Sequence, residues 1–259
     1  MSSPNSELAG FYAQGYRVAD PAEAERLGRW RALGARGKAE HAVSLCVRAG
    51  LVPGRVVEIG CGDGALLAEL SRRALGRELD GFELSPPAAE LARRRDIPRA
   101  HRIEAFDGAR VPAPDGAYEL AVVSHVLEHV PDPPALLAEA ARLAPWVLVE
   151  VPLEANRSAR RPAKRAEAER IGHVQAFGRE AVSRLLGEAG FQPVAELTDP
   201  LPYAHHAFFA RGGAARARAA LKAGVRRAAW RVAPRAAERA FTVHYAVLAR
   251  RAGRPAPVA

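Results

Sequence analysis

The sequence predicts an α/β protein with a doubly wound, mainly parallel sheet, and three observations lead to this fold class. Apolar, β-branched runs alternate with helical patterns through the middle of the chain, as they do in parallel βαβ units. The first run, 55–60, leads through a glycine-rich loop into a helical pattern. Two later runs, 118–125 and 146–152, contain long apolar stretches, as strands buried on both faces do. The 259 residues suffice for one such domain with additions.

The core elements follow in a regular order. The predicted strands are 55–60, 78–84, 100–105, 118–125 and 146–152. Helices are predicted over 64–75, from Ser85 and from Pro133, because proline favours the first turn of a helix. They are preceded by residues 1–50, a helical, partly irregular lead-in that we expect to act as a lid.

The C-terminal third departs from a minimal α/β core. Residues 153–177 form a polar, basic run that we interpret as a loop and short helix over the site. A helix closed by Gly190 leads to a strand over 191–197, and another strand follows at 241–250. The join over 198–240 is too long for a hairpin, so it is predicted to be an inserted element on the substrate side.

The inserted helix, about 213–232, carries an apolar face and arginines elsewhere. That face consists of Ala214, Ala217, Leu221, Val225, Ala228 and Val232. The predicted division of the chain is a lead-in (1–50), a core (51–198), a helical basic insertion (199–240), a last core strand (241–250) and a disordered tail (251–259).

The glycine loop after the first strand has the chemistry of a nucleotide site. Glycines let the backbone turn tightly and approach a ligand, and GCGDGA also fits the loose dinucleotide pattern. A dinucleotide would place its pyrophosphate at the following helix N-terminus, where Glu58 and Asp63 would repel it. S-adenosylmethionine (SAM) has no phosphate and carries a sulfonium and an ammonium, which acidic groups attract. An NAD-dependent oxidoreductase is therefore disfavoured.

Four motifs together resemble the class I SAM-dependent methyltransferases, most closely the subgroup that includes quinone-biosynthesis methyltransferases. They are EIGCGDG at 58–64, DGFELSP around Glu83, FDGARVP at 106–112 and VVSHVLEHVPDP at 122–133. The resemblance covers about residues 38–198. It implies a Rossmann-like seven-stranded sheet of order 3-2-1-4-5-7-6 whose last strand is antiparallel, with SAM as cofactor and S-adenosylhomocysteine as product.

Cofactor contacts are predicted from the loop and from this resemblance. Glu83 ends the second strand, where a carboxylate can accept both ribose hydroxyls. Asp107 resembles the family acid that binds the adenine amino group, although an aspartate before Gly108 also suits a simple turn. The full predicted set is Glu58, Gly60, Cys61, Gly62, Asp63, Gly64, Glu83, Leu84, Phe106, Asp107, Gly108, Ser124 and His125.

The acceptor side is predicted from histidines and aromatic residues. Histidine titrates near neutral pH and can remove an acceptor proton; the candidates for this role are His125, His173 and His205. Substrate contacts are predicted for Tyr12, Tyr16, His129, His173, Tyr203 and His206. The i, i+4 pair His125 and His129 invites a metal interpretation, but the H-E-x-x-H order is absent and no third ligand is evident. No metal is therefore expected.

The distribution of charge along the chain bears on the class of acceptor but does not identify the acceptor. The net charge of +9 divides into −4 over residues 1–154 (18 basic, 22 acidic) and +13 over 155–259 (20 basic, 7 acidic). We expect O- or N-methylation of a small or medium-sized acceptor, free or carrier-linked and possibly anionic: a natural product, sugar, quinone or peptide. A tRNA or rRNA methyltransferase is disfavoured because few aromatic residues lie among the arginines. A non-catalytic SAM-binding module stays open.

Two further expectations concern the setting of the protein. The N-terminus has no basic region followed by an apolar run, and no apolar stretch is long enough to span a bilayer. A cytoplasmic, bacterial-type biosynthetic enzyme is therefore predicted. Cys46 and Cys61 have neither metal-ligand nor C-x-x-C spacing, and we expect both to be reduced thiols. The sequence is silent on oligomeric state.

Overall fold

The computed structural model describes residues 4–253 and contains one seven-stranded sheet. Its strands are β1 (Arg55–Ile59), β2 (Glu78–Glu83), β3 (Ala100–Ala105), β4 (Leu120–Ser124), β5 (Trp146–Pro152), β6 (Phe191–Asp199) and β7 (His244–Arg251). The order is β3-β2-β1-β4-β5-β7-β6. β7 runs antiparallel to β5 and β6, while β1 to β5 pair in parallel. The predicted Rossmann-like fold class and strand order are confirmed.

Ten α-helices surround this sheet in the described part of the chain. They are α1 (Pro4–Tyr16), α2 (Pro21–Arg48), α3 (Ala65–Arg72), α4 (Pro86–Arg93), α5 (Pro133–Leu143), α6 (Pro162–Arg170), α7 (Arg179–Glu188), α8 (Tyr203–Ala207), α9 (Gly213–Val232) and α10 (Pro234–Ala240). A 3-10 turn, Leu127–His129, follows β4. No helix among residues 4–253 is both long and apolar enough to cross a membrane.

The lead-in is more regular than its sequence predicts, because one continuous helix, α2, extends from Pro21 to Arg48. The Asp20 side chain accepts a hydrogen bond from the backbone N–H of Ala22 and caps the helix. This capping, with proline at the first position, is a strong helix start. The buried face of α2 includes Leu45 and Cys46.

Two apolar clusters form the core, one on each face of the sheet, because successive side chains of a strand point in opposite directions. Val56 of β1 packs in the cluster that contains the buried residues of α2 and α3. Its neighbour Val57 packs in the other cluster, with residues of α5 and α7. β4 and β5 are buried along their whole length, as a central parallel pair requires. Because β1, β4 and β5 are parallel, their carboxyl ends lie at the same edge of the sheet.

The predicted apolar face of α9 does not face the protein. Leu221 and Val225 on this face are 70% and 58% exposed, whereas Ala219 on the opposite face is buried and Trp230 packs against the core. Alanines allow close approach of the helix on the inner side, and Arg226 also points inward, with its guanidinium over the Phe241 ring. The apolar residues singled out in the sequence are therefore not the face that α9 packs against the protein, and one of its arginines, Arg226, lies on the packed side.

The ends of the predicted segments also need adjustment. The helix after the glycine loop ends at Arg72 rather than near residue 75, since Ala74 already has positive φ. Arg251 belongs to β7, so it is not part of a disordered tail. Residues 254–259 of that predicted tail lie outside the described residues.

Candidate functional site

The glycine loop between β1 and α3 needs glycine for its own backbone. Gly60, Gly62 and Gly64 have φ values of +81°, +55° and +75°, a region that other residues rarely adopt. A Cβ on Gly60 would lie 2.5 Å from Val126 Cγ2, and one on Gly64 would lie 2.9 Å from Ala92 Cβ. The loop is thus tightly packed between the end of β4 and α4, which brings its backbone to the carboxyl edge of the sheet.

Glu83 ends β2 directly beside this loop. Its Oε2 accepts a hydrogen bond from Gly62 N, and its Oε1 accepts one from Ser85 N, both at 2.8 Å. The side chain is buried, and this burial raises the pKa of the carboxyl although the backbone donors partly oppose the effect. Each carboxylate oxygen can accept a second hydrogen bond, so Glu83 can still receive ribose hydroxyls. Asp80, the other acid of β2 that could be considered for this role, accepts a hydrogen bond from the Tyr118 hydroxyl at 2.6 Å and is structural.

Glu58 is a buried acid with one carboxyl oxygen that forms no hydrogen bond within the described residues. Its side chain is 3% exposed, and Oε2 has no hydrogen-bond partner among the described residues. Burial, opposed by the charge of Lys38, raises the pKa of Glu58 well above its usual range. A cationic group at the end of the cavity would compensate this carboxylate, and the ammonium of SAM is such a group. The residues of the loop therefore fit SAM at this position.

Asp63 has a different role from the one its position in the loop suggested. Its Oδ2 lies 2.7 Å from Arg31 Nε and 2.6 Å from Arg95 Nη2, and its Oδ1 accepts a hydrogen bond from Ala65 N at the start of α3. Two arginines already compensate its charge. Asp63 therefore organises the loop, and Glu58 is the acid that remains uncompensated.

The remaining predicted cofactor residues fall into two groups. Phe106 packs against the core, 6.3 Å from the Phe82 ring centroid, and Leu84 is half-buried. Asp107 accepts hydrogen bonds from Ala109 N and Arg110 N, which lower the pKa of its carboxyl. This is the turn geometry around Gly108 that the sequence analysis had considered as the alternative. The adenine contact of Asp107 stays a prediction.

Helix α1 lies over the glycine loop and the 3-10 turn. The Tyr16 hydroxyl would be 2.9 Å from a Cβ on Gly62, and burial raises the pKa of Tyr16 strongly. The Tyr12 hydroxyl lies 2.8 Å from His129 Nδ1 and donates to the carbonyl oxygen of Gly172 at 3.2 Å. The N-terminal segment thus covers the site, in the place of a lid.

His125, His173, His205 and His206 line one cavity and are called the histidine wall below. The first of them, His125, lies in the segment after β4. Ser124 is buried, with its hydroxyl lacking a hydrogen-bond partner among residues 4–253. His125 has an unusual φ of +56° for a residue other than glycine. Its Nδ1 lies 3.2 Å from Glu128 Oε1 and its Nε2 lies 3.8 Å from Glu150 Oε1. Strain of this kind is concentrated at functional sites.

Three more predicted histidines complete this wall. His173 Nδ1 is 2.7 Å from Glu154 Oε2; burial opposes its charged form, but this partner raises the pKa of His173 above its ordinary value. The His205 ring contacts Trp30 edge-on at 5.7 Å, and burial lowers the pKa of His205. His206 has its pKa lowered to about 4 by burial and by neighbouring cations. Tyr203, by contrast, is 45% exposed and is not among the residues that line the cavity, because it begins α8 on the outer side.

Sequence reasoning missed a buried carboxylate beneath the wall. Glu150 is fully buried in β5, and its Oε1 lies 3.2 Å from His41 Nδ1 and 3.5 Å from His244 Nδ1. Burial opposes its ionisation, but the histidines hold the pKa of Glu150 well below its usual range. A charged residue within the apolar run WVLVEVP was the signal that could have found it. His41 and His244 come from distant elements and carried no such signal.

The glycine loop and the histidine wall open into one cavity of about 1390 Å³. This volume exceeds the range of about 300–1,000 Å³ usual for one small ligand, so there is room for a cofactor and an acceptor. Segments 153–177 and 198–240 both contribute to its walls, as do His125, His173 and His205. A cationic group from these two segments, Lys164, Lys222 and Arg226, lies in the same wall.

Comparison with known proteins agrees with this architecture. A family model for a methyltransferase domain matches residues 29–196. An enzyme named ubiquinone biosynthesis O-methyltransferase from Xanthomonas campestris is 28% identical over 103 residues, which are 38% of this chain and 42% of the relative. Its counterpart from Aromatoleum aromaticum is 30% identical over 138 residues, 48% of this chain and 58% of the relative. The chain therefore aligns with roughly half of the length of these curated relatives.

Solved structures extend the likeness over nearly the whole chain. Geranyl diphosphate C-methyltransferase from Streptomyces coelicolor has a TM-score of 0.62 at 17% identity, covering 97% of this chain and all (100%) of that chain. Magnesium protoporphyrin IX methyltransferase from Synechocystis has a TM-score of 0.55 at 16% identity, covering 85% and 84%. At such identities the likeness concerns the fold, while the family model matches more than half of the sequence. The chain therefore belongs to the methyltransferase-domain family, in agreement with the resemblance of its motifs to the class I SAM-dependent methyltransferases.

Proposed function

We propose that this enzyme transfers a methyl group from SAM to an oxygen or nitrogen atom of a small or medium-sized acceptor that carries an anionic group. The observation that carries the proposal is the cationic group Lys164, Lys222 and Arg226 in the wall of the cavity that also contains the glycine loop. An acceptor bound between this group and the loop would meet the cofactor in one enclosed space.

Lys164 pairs with Glu167, but neither Lys222 nor Arg226 forms an ion pair with a carboxylate of the described residues. Burial, together with the charges of Arg226 and Lys164, lowers the pKa of Lys222. Burial also lowers the pKa of Arg226, whose Nε has no hydrogen-bond partner among the described residues. A carboxylate or phosphate would remove this repulsion and supply the missing acceptor, because arginine offers a planar fork of donors to such groups.

The chain's own residues have distinct tasks in this reaction. SAM, when bound, supplies a methyl group that is already activated by the sulfonium. Glu58 and Glu83 would hold the cofactor's ammonium and ribose ends, and the cationic group would orient the acceptor. Orientation of two reactants contributes up to about 7–11 kcal/mol in favourable cases. For a hydroxyl acceptor the proton goes to the histidine wall, where His125, His173 and His205 remain the predicted acceptors.

The comparisons support the acceptor class without identifying the acceptor. The curated relatives are named as O-methyltransferases of ubiquinone biosynthesis, which favours oxygen as the methylated atom. The Streptomyces coelicolor structure was solved with geranyl diphosphate, a strongly anionic molecule. An RNA acceptor is less favoured, since Arg226 faces inward and the exposed side of α9 carries Leu221 and Val225 between its arginines.

Paired acceptors test the proposal. We would measure S-adenosylhomocysteine production from matched phenolic carboxylic acids and their neutral methyl esters, and likewise from sugar phosphates and free sugars. Lys222→Ala should raise KM for the anionic member by about 10- to 100-fold, since a hydrogen bond to a charged group contributes about 1.5–3 kcal/mol, with little effect on the neutral one. Arg218→Ala, on the exposed side of α9, is the matched control.

Two results would contradict the proposal. Equal turnover of the anionic and neutral members, unchanged in Lys222→Ala, would show that the cationic group does not bind the acceptor. Methylation of tRNA in preference to every small acceptor, with affinity falling steeply as salt rises, would assign the basic C-terminal third to nucleic acid instead.

A further inference from the structure

We propose that Glu128, His129 and His173 bind a divalent transition-metal ion at the acceptor end of the cavity. Each residue offers one ligand atom, and these atoms lie within 4.8 Å of one another. The sequence shows the pair Glu128 and His129 but no third ligand nearby. The fold supplies His173 from the segment between α6 and α7, 44 residues further along the chain.

Glu128 is the residue that most needs such an ion. It is 1% exposed, and neither of its carboxylate oxygens has a hydrogen-bond partner among residues 4–253. The nearest imidazole nitrogen, His125 Nδ1, lies 3.2 Å from Oε1 without hydrogen-bond geometry. An ionised carboxylate is rarely buried unless it is paired or coordinates a metal. The geometry therefore points to a cation site beside Glu128.

Both histidines are held in the way that metal ligands are. His129 Nδ1 lies 3.1 Å from the Gly172 carbonyl oxygen, and His173 Nδ1 lies 2.7 Å from Glu154 Oε2. Their ring centroids are 4.7 Å apart. A histidine ligand commonly uses one ring nitrogen for the metal and donates the other N–H to a carbonyl or carboxylate. This arrangement leaves the Nε2 atoms of both rings for the ion. With the ion bound, His173 would have no free nitrogen, and the proton of a hydroxyl acceptor would go to His125 or His205.

A second cluster in the same wall, His125, Glu150 and His244, also has ligand atoms within 4.8 Å of one another. Its carboxylate, however, already has a charged partner. His41 lies 3.2 Å from Glu150 and 3.6 Å from Asp199; burial opposes its charge, but these acids raise the pKa of His41 to about 9. Glu150 Oε1 thus has three histidine nitrogens within 3.8 Å, those of His41, His125 and His244, whereas Glu128 has one ion-pair contact, with His125. We therefore assign the ion to Glu128.

The ligand set indicates the class of ion. Two imidazoles and one carboxylate suit zinc, iron, cobalt or manganese, while magnesium and calcium prefer oxygen ligands throughout. Three protein ligands leave positions open, and His129 and His173 line the cavity. An acceptor hydroxyl could bind there, and a divalent ion lowers the pKa of a bound hydroxyl. This role of the ion rests on the proposed function, whereas binding of the ion does not.

Metal binding can be measured without any acceptor. The full-length chain, stripped with a chelator, would be titrated with Co²⁺ by visible absorption and with Zn²⁺ by calorimetry. We expect one equivalent to bind. Affinity should fall more than about 100-fold in His129→Ala and in His173→Ala, and about 10- to 100-fold in Glu154→Gln, which removes only the partner of His173. His101→Ala, an exposed histidine on β3, is the matched control and should bind as the unaltered chain does.

Calorimetric binding of S-adenosylhomocysteine to each variant establishes that it is folded. Absence of a stoichiometric site in the unaltered chain would overturn the proposal. So would binding that is lost in His244→Ala but kept in His129→Ala and His173→Ala, because it would place the ion at Glu150. Metal binding without methyl transfer to any acceptor would refute the proposed function alone, and acceptor methylation by a protein that binds no metal would refute this inference alone.

Discussion

Replacement of Glu83 by alanine should have two separately measurable effects, one on the stability of the fold and one on the affinity for the cofactor. The carboxylate accepts hydrogen bonds from Gly62 N and Ser85 N, both at 2.8 Å. Glu83→Ala leaves these two donors without their acceptor, and an unsatisfied buried donor costs about 1–3 kcal/mol. Burial raises the pKa of Glu83, so removing the charge also relieves part of its desolvation cost. Two such donors would together cost about 2–6 kcal/mol. Because the desolvation cost of Glu83 is also removed, we expect the free energy of unfolding to fall by about 2 kcal/mol, the lower end of this range.

The same substitution should weaken cofactor binding separately. Loss of the acceptor for the ribose hydroxyls would cost about 1–3 kcal/mol, or roughly a 5- to 150-fold increase in Kd. Urea unfolding without ligand measures the first effect, and calorimetry with S-adenosylhomocysteine in the absence of denaturant measures the second. Glu90→Ala is the control, because this carboxylate of α4 pairs with Arg93 and Arg94 on the surface, where ion pairs contribute little. A folded Glu83→Ala that binds within about threefold of the unaltered protein would refute the assignment.

Three further predictions test the loop, the buried ion pair and the insertion. Gly60→Ala should destabilise the fold by about 2 kcal/mol or more in urea unfolding, because φ is +81° and the new Cβ would meet Val126; Gly28→Ala, in open space within α2, should instead be neutral or stabilising, and similar losses in both would contradict the argument. The raised pKa of His41, about 9, means that its stabilising effect is complete below pH 6.5 and is lost as pH rises through 9. It should amount to roughly 3 kcal/mol at about 1.4 kcal/mol per pKa unit. Unfolding free energies measured across this pH range should therefore fall in the unaltered protein but not in His41→Gln, and an equal fall in both would remove His41 as the cause. Leu221→Gln with Val225→Thr should change the unfolding free energy by less than about 0.5 kcal/mol because both side chains are exposed, whereas a loss above about 2 kcal/mol would show that this face of α9 is buried in solution.

Local sequence patterns were sufficient for the sheet and for the cofactor loop. The strand at 100–105 and the helix at 213–232 occur with the predicted bounds. Hydrophobic periodicity and the positions of glycine and proline are local signals of secondary structure. Three glycines at alternating positions predicted a tightly turning loop, and all three have positive φ. The strand order followed from the resemblance to a known family, since that order is a property of the fold and cannot be read from local residues.

Only the tertiary structure decided which charges are compensated. Asp63 looked like a ligand for a cationic cofactor, yet Arg31 and Arg95, 32 residues away on either side, neutralise it. Glu150 looked like part of a buried strand, yet it holds histidines from α2 and β7. The exposure of the apolar face of α9 was equally unpredictable. The sequence of a helix defines which residues share a face, but it does not determine which face packs against the rest of the protein. A sequence determines the chemistry available at each position through local rules. Electrostatic balance and burial depend on distances between residues that the chain separates, and these are established only when the fold closes.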